Sequence, residues 1–95
     1  MHYSISNTVV KQLQEIYSYN FYNYNKQRAE KILNSIEDMF EKATHNPNYY
    51  PRYLKNPNPN RNIRKAVIYK TYLLIFEVFE DYIQILSVYQ RAMDK

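Results

Sequence analysis

Seven cations stand between Lys42 and Phe76 with no Asp or Glu among them: Lys42, Arg52, Lys55, Arg61, Arg64, Lys65 and Lys70. A run of one sign suits a partner of the other, so the chemistry on offer is contact with phosphates or carboxylates. Arg52, Lys55, Arg61, Arg64 and Lys65, with Arg91 further on, are the candidate target- or nucleic-acid-binding residues. The bland alternative is a solvated basic loop.

Other chemistries are poorly supplied. The chain has no cysteine, which removes thiolate catalysis and disulfides, and no glycine, which removes every Gly-rich phosphate loop. No cofactor is expected. His2 and His45 lack ligand spacing with any carboxylate pair, so no metal site is expected either. Glu37, Asp38 and Glu41 fall where a helix meets water and read as a solvated face. Glu77 differs, because it interrupts an apolar segment, where an unpaired carboxylate is costly; Lys70 and Arg64 are the expected partners.

The segment EIYSYNFYNYN, Glu15 to Asn25, carries five rings: Tyr17, Tyr19, Phe21, Tyr22 and Tyr24. Tyr17 and Tyr24 fall on the expected core stripe of a helix. Tyr19, Phe21 and Tyr22 point elsewhere. Tyrosine offers large contact area at low entropic cost, so these three are the candidate partner-binding residues, used by another protein or a second copy of the chain.

These residues need a frame, and 95 residues make one domain, 1–95, with one core. At 45% hydrophobic and 23% charged, the chain is globular. Ala66 to Tyr89 is too interrupted by charge to span a membrane, and the N-terminus lacks a signal-peptide pattern, so a cytoplasmic location is expected. His2 to Ile5 suits a short strand. Ser6-Asn7-Thr8 offers N-caps for a helix whose stripe is Val9, Val10, Leu13, Ile16 and Tyr17, ending near Tyr22. A second helix spans about Lys26 to Ala43, with Ala29, Ile32, Leu33, Ile36, Met39 and Phe40 as its stripe. All four prolines lie in the long loop that follows. NIRKAVIYK, YLLIFEVF and YIQILSVYQ then carry strand-forming residues, with breaks at Lys70-Thr71 and Glu80-Asp81. The reading is α+β, in the order β-α-α-β-β-β, with a helical hairpin on a small, mainly antiparallel sheet.

That order and three segments resemble the ParE/RelE toxins of bacterial type II toxin–antitoxin modules. ISNTVVKQLQEIYSY is similar to the family's first helix, RAEKILNSIEDMFEKATHNP to its second, and IRKAVIYKTYLLIFEVFEDYIQILSVYQRA to its meander. The resemblance implies a growth-inhibiting toxin of a plasmid-stabilisation type, silenced by a cognate antitoxin, with DNA gyrase as target in the ParE-like branch. In the RelE-like branch the target is the ribosome and its mRNA, cut without a metal, and Arg64, Tyr89 and Arg91 are then the residues to supply cations and a proton donor. The pattern is incomplete for the nuclease. Leu73 stands where an Arg commonly follows the first aromatic of the central strand. Many ParE-like members end the last strand in His-x-x-Arg, and Gln90 and Met93 stand at those positions, so the ParE-like signature is blurred too. The ParE-like reading is slightly favoured. A non-toxic nucleic-acid-binding regulator is the third reading.

Overall fold

A computed structural model describes residues 1–93. It contains β1 (His2–Ile5), α1 (Asn7–Asn23), α2 (Lys26–His45), a short 3-10 turn (Pro47–Tyr49), β2 (Ile63–Ile68), β3 (Tyr72–Val78), β4 (Tyr82–Gln90) and a closing 3-10 turn (Arg91–Met93). The sheet order is β1-β4-β3-β2. β1 runs parallel to β4, and the other two pairings are antiparallel. This is the expected α+β arrangement of two helices against one sheet.

The helices begin where their caps dictate. The Ser6 hydroxyl accepts from the Val9 N–H at 3.3 Å, and the Asn25 side-chain Oδ1 accepts from the Arg28 N–H at 2.8 Å. Each satisfies one of the donors that a helix start leaves without a partner. The second helix runs on to His45, two residues past the expected end.

Val9, Ile16, Ile32, Ile36 and Phe40 of the helices pack on Ala66, Ile68, Leu74, Phe76, Ile83, Ile85 and Val88 of the sheet. Tyr17, expected in this core, is only half-buried, and Tyr24 is exposed. The stripe instead ends on Asn20, which is 1% exposed. Its amide Nδ2 donates to the Ile16 carbonyl at 2.8 Å and to the Tyr72 hydroxyl at 3.0 Å, while Oδ1 accepts from Arg28 Nε at 3.3 Å. A polar group can sit this deep because its hydrogen-bonding capacity is used.

Tyr72 to Glu77 is buried without a break, as expected of a central strand covered on both faces. The second cover is a smaller cluster of Ile63, Leu73 and Ile75, with Tyr53 from the long loop and Leu86 and Tyr89 from β4. The same loop shields the edge of β2. Tyr53 N donates to the Ile63 carbonyl at 2.8 Å and Lys65 N to the Pro51 carbonyl at 3.0 Å. An exposed strand edge is a template for unwanted pairing, and this return closes part of it.

The turn between β2 and β3 is centred on Tyr69 and Lys70, one residue earlier than expected. Both have positive φ, 55° and 58°, and Thr71 N donates back to the Ile68 carbonyl at 3.1 Å. Right-handed strand twist favours such a turn in a tight hairpin, and with no glycine in the chain two side-chain-bearing residues must adopt it.

Candidate functional site

The loop that carries the basic run spends most of its arginines on itself. Arg52 Nη2 donates to the carbonyls of Arg61 at 2.9 Å and Pro59 at 3.3 Å. Arg64 donates through Nε to Asn62 Oδ1 at 2.7 Å and through Nη1 to the carbonyls of Tyr50 at 2.9 Å and Asn48 at 3.4 Å. Irregular backbone has carbonyls that no ladder satisfies, and a guanidinium, with five donors in a fixed fork, can bridge several of them.

Arg61 has a different task. Its Nε lies 3.0 Å from Glu77 Oε2 and its Nη2 lies 2.6 Å from Oε1, a two-pronged ion pair. The hydrogen bond and charge of Glu77 push the Arg61 guanidinium above its ordinary value. Glu77 is therefore paired as expected, but with Arg61. Lys70 sits at the far end of the hairpin and Arg64 on the opposite sheet face, because Ile63 is the strand partner of Glu77 and Arg64 is that of Phe76.

The same alternation separates the three residues named for RNA cleavage. Arg64 shares a row with Phe76 and Ile85, under the helices, whereas Tyr89 shares a row with Leu73 on the outer face. Arg91 is exposed in the closing turn, where its N–H donates to the Thr71 carbonyl at 2.7 Å. Of the other named cations, Lys55 is exposed and Lys65 half-buried on the outer face of β2.

A site that the charge run did not signal lies between the helices and β1. Tyr3, Ile5, Val10, Leu13, Tyr17, Leu33 and Phe40 line a groove of about 550 Å³, with Gln14, Ser18 and Glu37 at its polar margin. Val10 and Ile5 are 39% and 40% exposed, so the groove leaves apolar surface open to water. Tyr3 leans on Phe40 with centroids 5.4 Å apart. Burial raises the Tyr3 pKa, and the negative charges of Glu41 and Glu37 raise it further. The groove is thus apolar inside with carboxylates beside it. That combination suits an apolar segment carrying a cation.

The three candidate partner-binding rings divide at this groove. Tyr17 lines it and stacks on Phe21 at 6.1 Å, and Phe21 meets Tyr22 edge-on at 5.2 Å. Phe21 and Tyr22 therefore continue the groove as an exposed aromatic shelf. Tyr19 lies on the other side of α1, where it lines a second hollow of about 310 Å³ with Gln12, Ile16, Tyr72, Val88 and Tyr89. The signal for the groove was present in the sequence: Val10, Leu13 and Tyr17 recur at helical spacing beyond what one buried stripe requires.

Among the described residues, no three His, Asp or Glu side chains come close enough to hold a metal ion, and no helix is long and apolar enough to cross a membrane.

A family model described as the ParE toxin of the type II toxin–antitoxin system parDE matches residues 3–95. Among solved structures, a chain of the chromosomal ParDE TA system from P. aeruginosa superposes with a TM-score of 0.78, at 18% sequence identity, covering 95% of each chain. At that identity the likeness is one of fold. No curated protein matches significantly in sequence.

Proposed function

The chain belongs to the ParE toxin family of type II toxin–antitoxin modules, and we propose that, when free of its cognate antitoxin, it blocks growth by acting on DNA gyrase in the cytoplasm. The observation that carries this over the nuclease alternative is the placement of Arg64 and Tyr89 on opposite faces of the sheet. Cleavage of RNA without a metal needs a base, an acid and cations around one phosphate. Arg64 is committed to the carbonyls of the loop instead.

The antitoxin is assigned to the groove between α1, α2 and β1. An amphipathic segment laid there buries Val10, Leu13 and Tyr17, sets a basic residue against Glu37, and meets Phe21 and Tyr22 at the end of the groove. Burying the exposed part of that lining is worth roughly 25 cal/mol per Å², so affinity rests on a few large side chains rather than on charge.

Two assays run together test the target. Purified toxin is added to a gyrase supercoiling reaction and to a ribosome-dependent mRNA cleavage reaction. Inhibition of supercoiling, reversed by antitoxin and without mRNA cleavage, is expected. Cleavage at ribosome-bound codons with supercoiling untouched would sink the gyrase reading.

A further inference from the structure

The second helix segregates its charge. At 100° per residue, Glu30, Glu37 and Glu41 fall on one side, toward the groove that Glu37 lines, with Lys26 the one cation among them, 3.9 Å from Glu30. Arg28, Lys31 and Lys42 fall on the other, with Asp38 the one acid among them. That basic side faces the Tyr69-Lys70 turn. Arg28 and Lys31 share a hollow with Tyr69 and Thr71, and Lys42 and Ser35 share the next one with Val67 and Tyr69. Lys70 sits at the tip of the same turn. Among the described residues, Lys31, Lys42 and Lys70 form no ion pair.

We propose that this face, made by α2 and the β2–β3 turn, binds the phosphate backbone of duplex DNA. Arg28 and Lys42 are separated by about 21 Å along a rigid helix, on the order of six base-pair steps at 3.4 Å each. The ring of Tyr69 is held between the two hollows, its hydroxyl fixed by a 3.1 Å hydrogen bond with Ser35 Oγ. Hydroxyls and cations in one row are the usual donors to phosphate oxygens. The strained backbone at Tyr69 and Lys70 makes the tight turn that brings Tyr69 to both hollows and leaves Lys70 exposed at the tip beside them.

Two alternatives fit less well. Single-stranded nucleic acid is gripped by stacking successive bases on several open rings, and the two hollows of this face hold a single ring, Tyr69. An acidic protein would need a broad apolar anchor, whereas on this side only Val67 among the aliphatic lining is exposed, Ile32 and Ile68 being buried and Met39 half-buried. The inference goes beyond the gyrase reading and does not depend on it.

The test is fluorescence anisotropy of a labelled duplex of about 20 base pairs, titrated with the full chain at several salt concentrations. Wild type is compared with Lys31→Gln, Lys42→Gln and Lys70→Gln singly and combined, with Lys11→Gln on the other helix as control. Circular dichroism confirms that each variant folds. The expected results are a salt slope lowered by about 0.9 per lysine, an affinity at least ~10-fold weaker for the triple variant, and a control like wild type. Absent binding by wild type at low salt, an unchanged slope in the folded variants, or displacement of the duplex by polyglutamate at equal charge would overturn the proposal. Gyrase inhibition is read in a separate reaction, so either idea can fail without the other.

Discussion

The side chain of Gln12, on α1, completes the backbone of Val88, on β4. Its Oε1 accepts from the Val88 N–H at 2.9 Å while its Nε2 donates to the Ser87 hydroxyl at 2.9 Å. The contact sits beside a register shift, since Ile75 pairs with Ser87 but Phe76 pairs with Ile85. A bulge breaks the ladder and leaves backbone groups to be satisfied otherwise. β1 stops opposite Ile85, so the helix supplies the partner that the next strand would have supplied.

Gln12→Ala therefore removes the acceptor of a part-buried N–H. The expected loss is about 1–3 kcal/mol of folding stability in urea denaturation. Gln12→Glu keeps an acceptor and loses the donor, and falls between Ala and wild type. Equal midpoints for all three proteins would show the contact to be idle.

Lys70→Gly relieves a left-handed residue that carries a side chain. Such a residue costs roughly 1–2 kcal/mol, partly offset by the greater freedom of glycine in the unfolded chain. A gain of about 1 kcal/mol in thermal or chemical denaturation is expected, and a loss would mean that the Lys70 stem packs more than its exposure suggests.

Arg61→Ala strands the Glu77 carboxylate, which is 8% exposed. Arg61 is itself half-exposed, so a lowered midpoint in urea denaturation is expected, smaller than the loss from breaking a fully buried pair. Arg61→Ala with Glu77→Gln should recover part of it, because the stranded charge is gone. A double variant no more stable than the single would place the loss in packing of the loop.

At the groove, Leu13→Arg and Glu37→Lys should each weaken antitoxin binding by about 2 kcal/mol, roughly 30-fold. Exposed Glu37→Lys should leave stability unchanged, whereas Leu13 also packs on the core and its variant loses some. Phe21→Ser with Tyr22→Ser should likewise weaken binding. Tyr19→Ser is the informative contrast, since Tyr19 lines the hollow on the other side of α1. Calorimetric titration with antitoxin reads all of them, and undiminished affinity in Leu13→Arg would move the antitoxin elsewhere.

What the sequence determined by itself was local. Helical spacing from Val9 to Tyr17 and from Ala29 to Phe40, Ser6 at the start of the first helix, and β-branched runs after residue 62 are each written within a few residues, because caps and periodicity act over one or two turns. The order of elements followed, and with it the resemblance to the ParE/RelE toxins. The turn was misplaced by one residue because no glycine marked it. Tyr24 was placed inside because a stripe does not announce where its cover ends.

What only the tertiary structure decided was pairing across distance. Seven cations in a row look alike in sequence, yet Arg61 meets a carboxylate sixteen residues on, Arg64 turns inward to the loop carbonyls, and Lys42 lines a hollow against Tyr69 next to the one that Arg28 and Lys31 line. Whether Arg64 and Tyr89 share a side depends on strand register, which one slipped residue reverses. Side-chain charge is a property of the residue, but its availability is set by whatever the fold brings within about 3 Å of it.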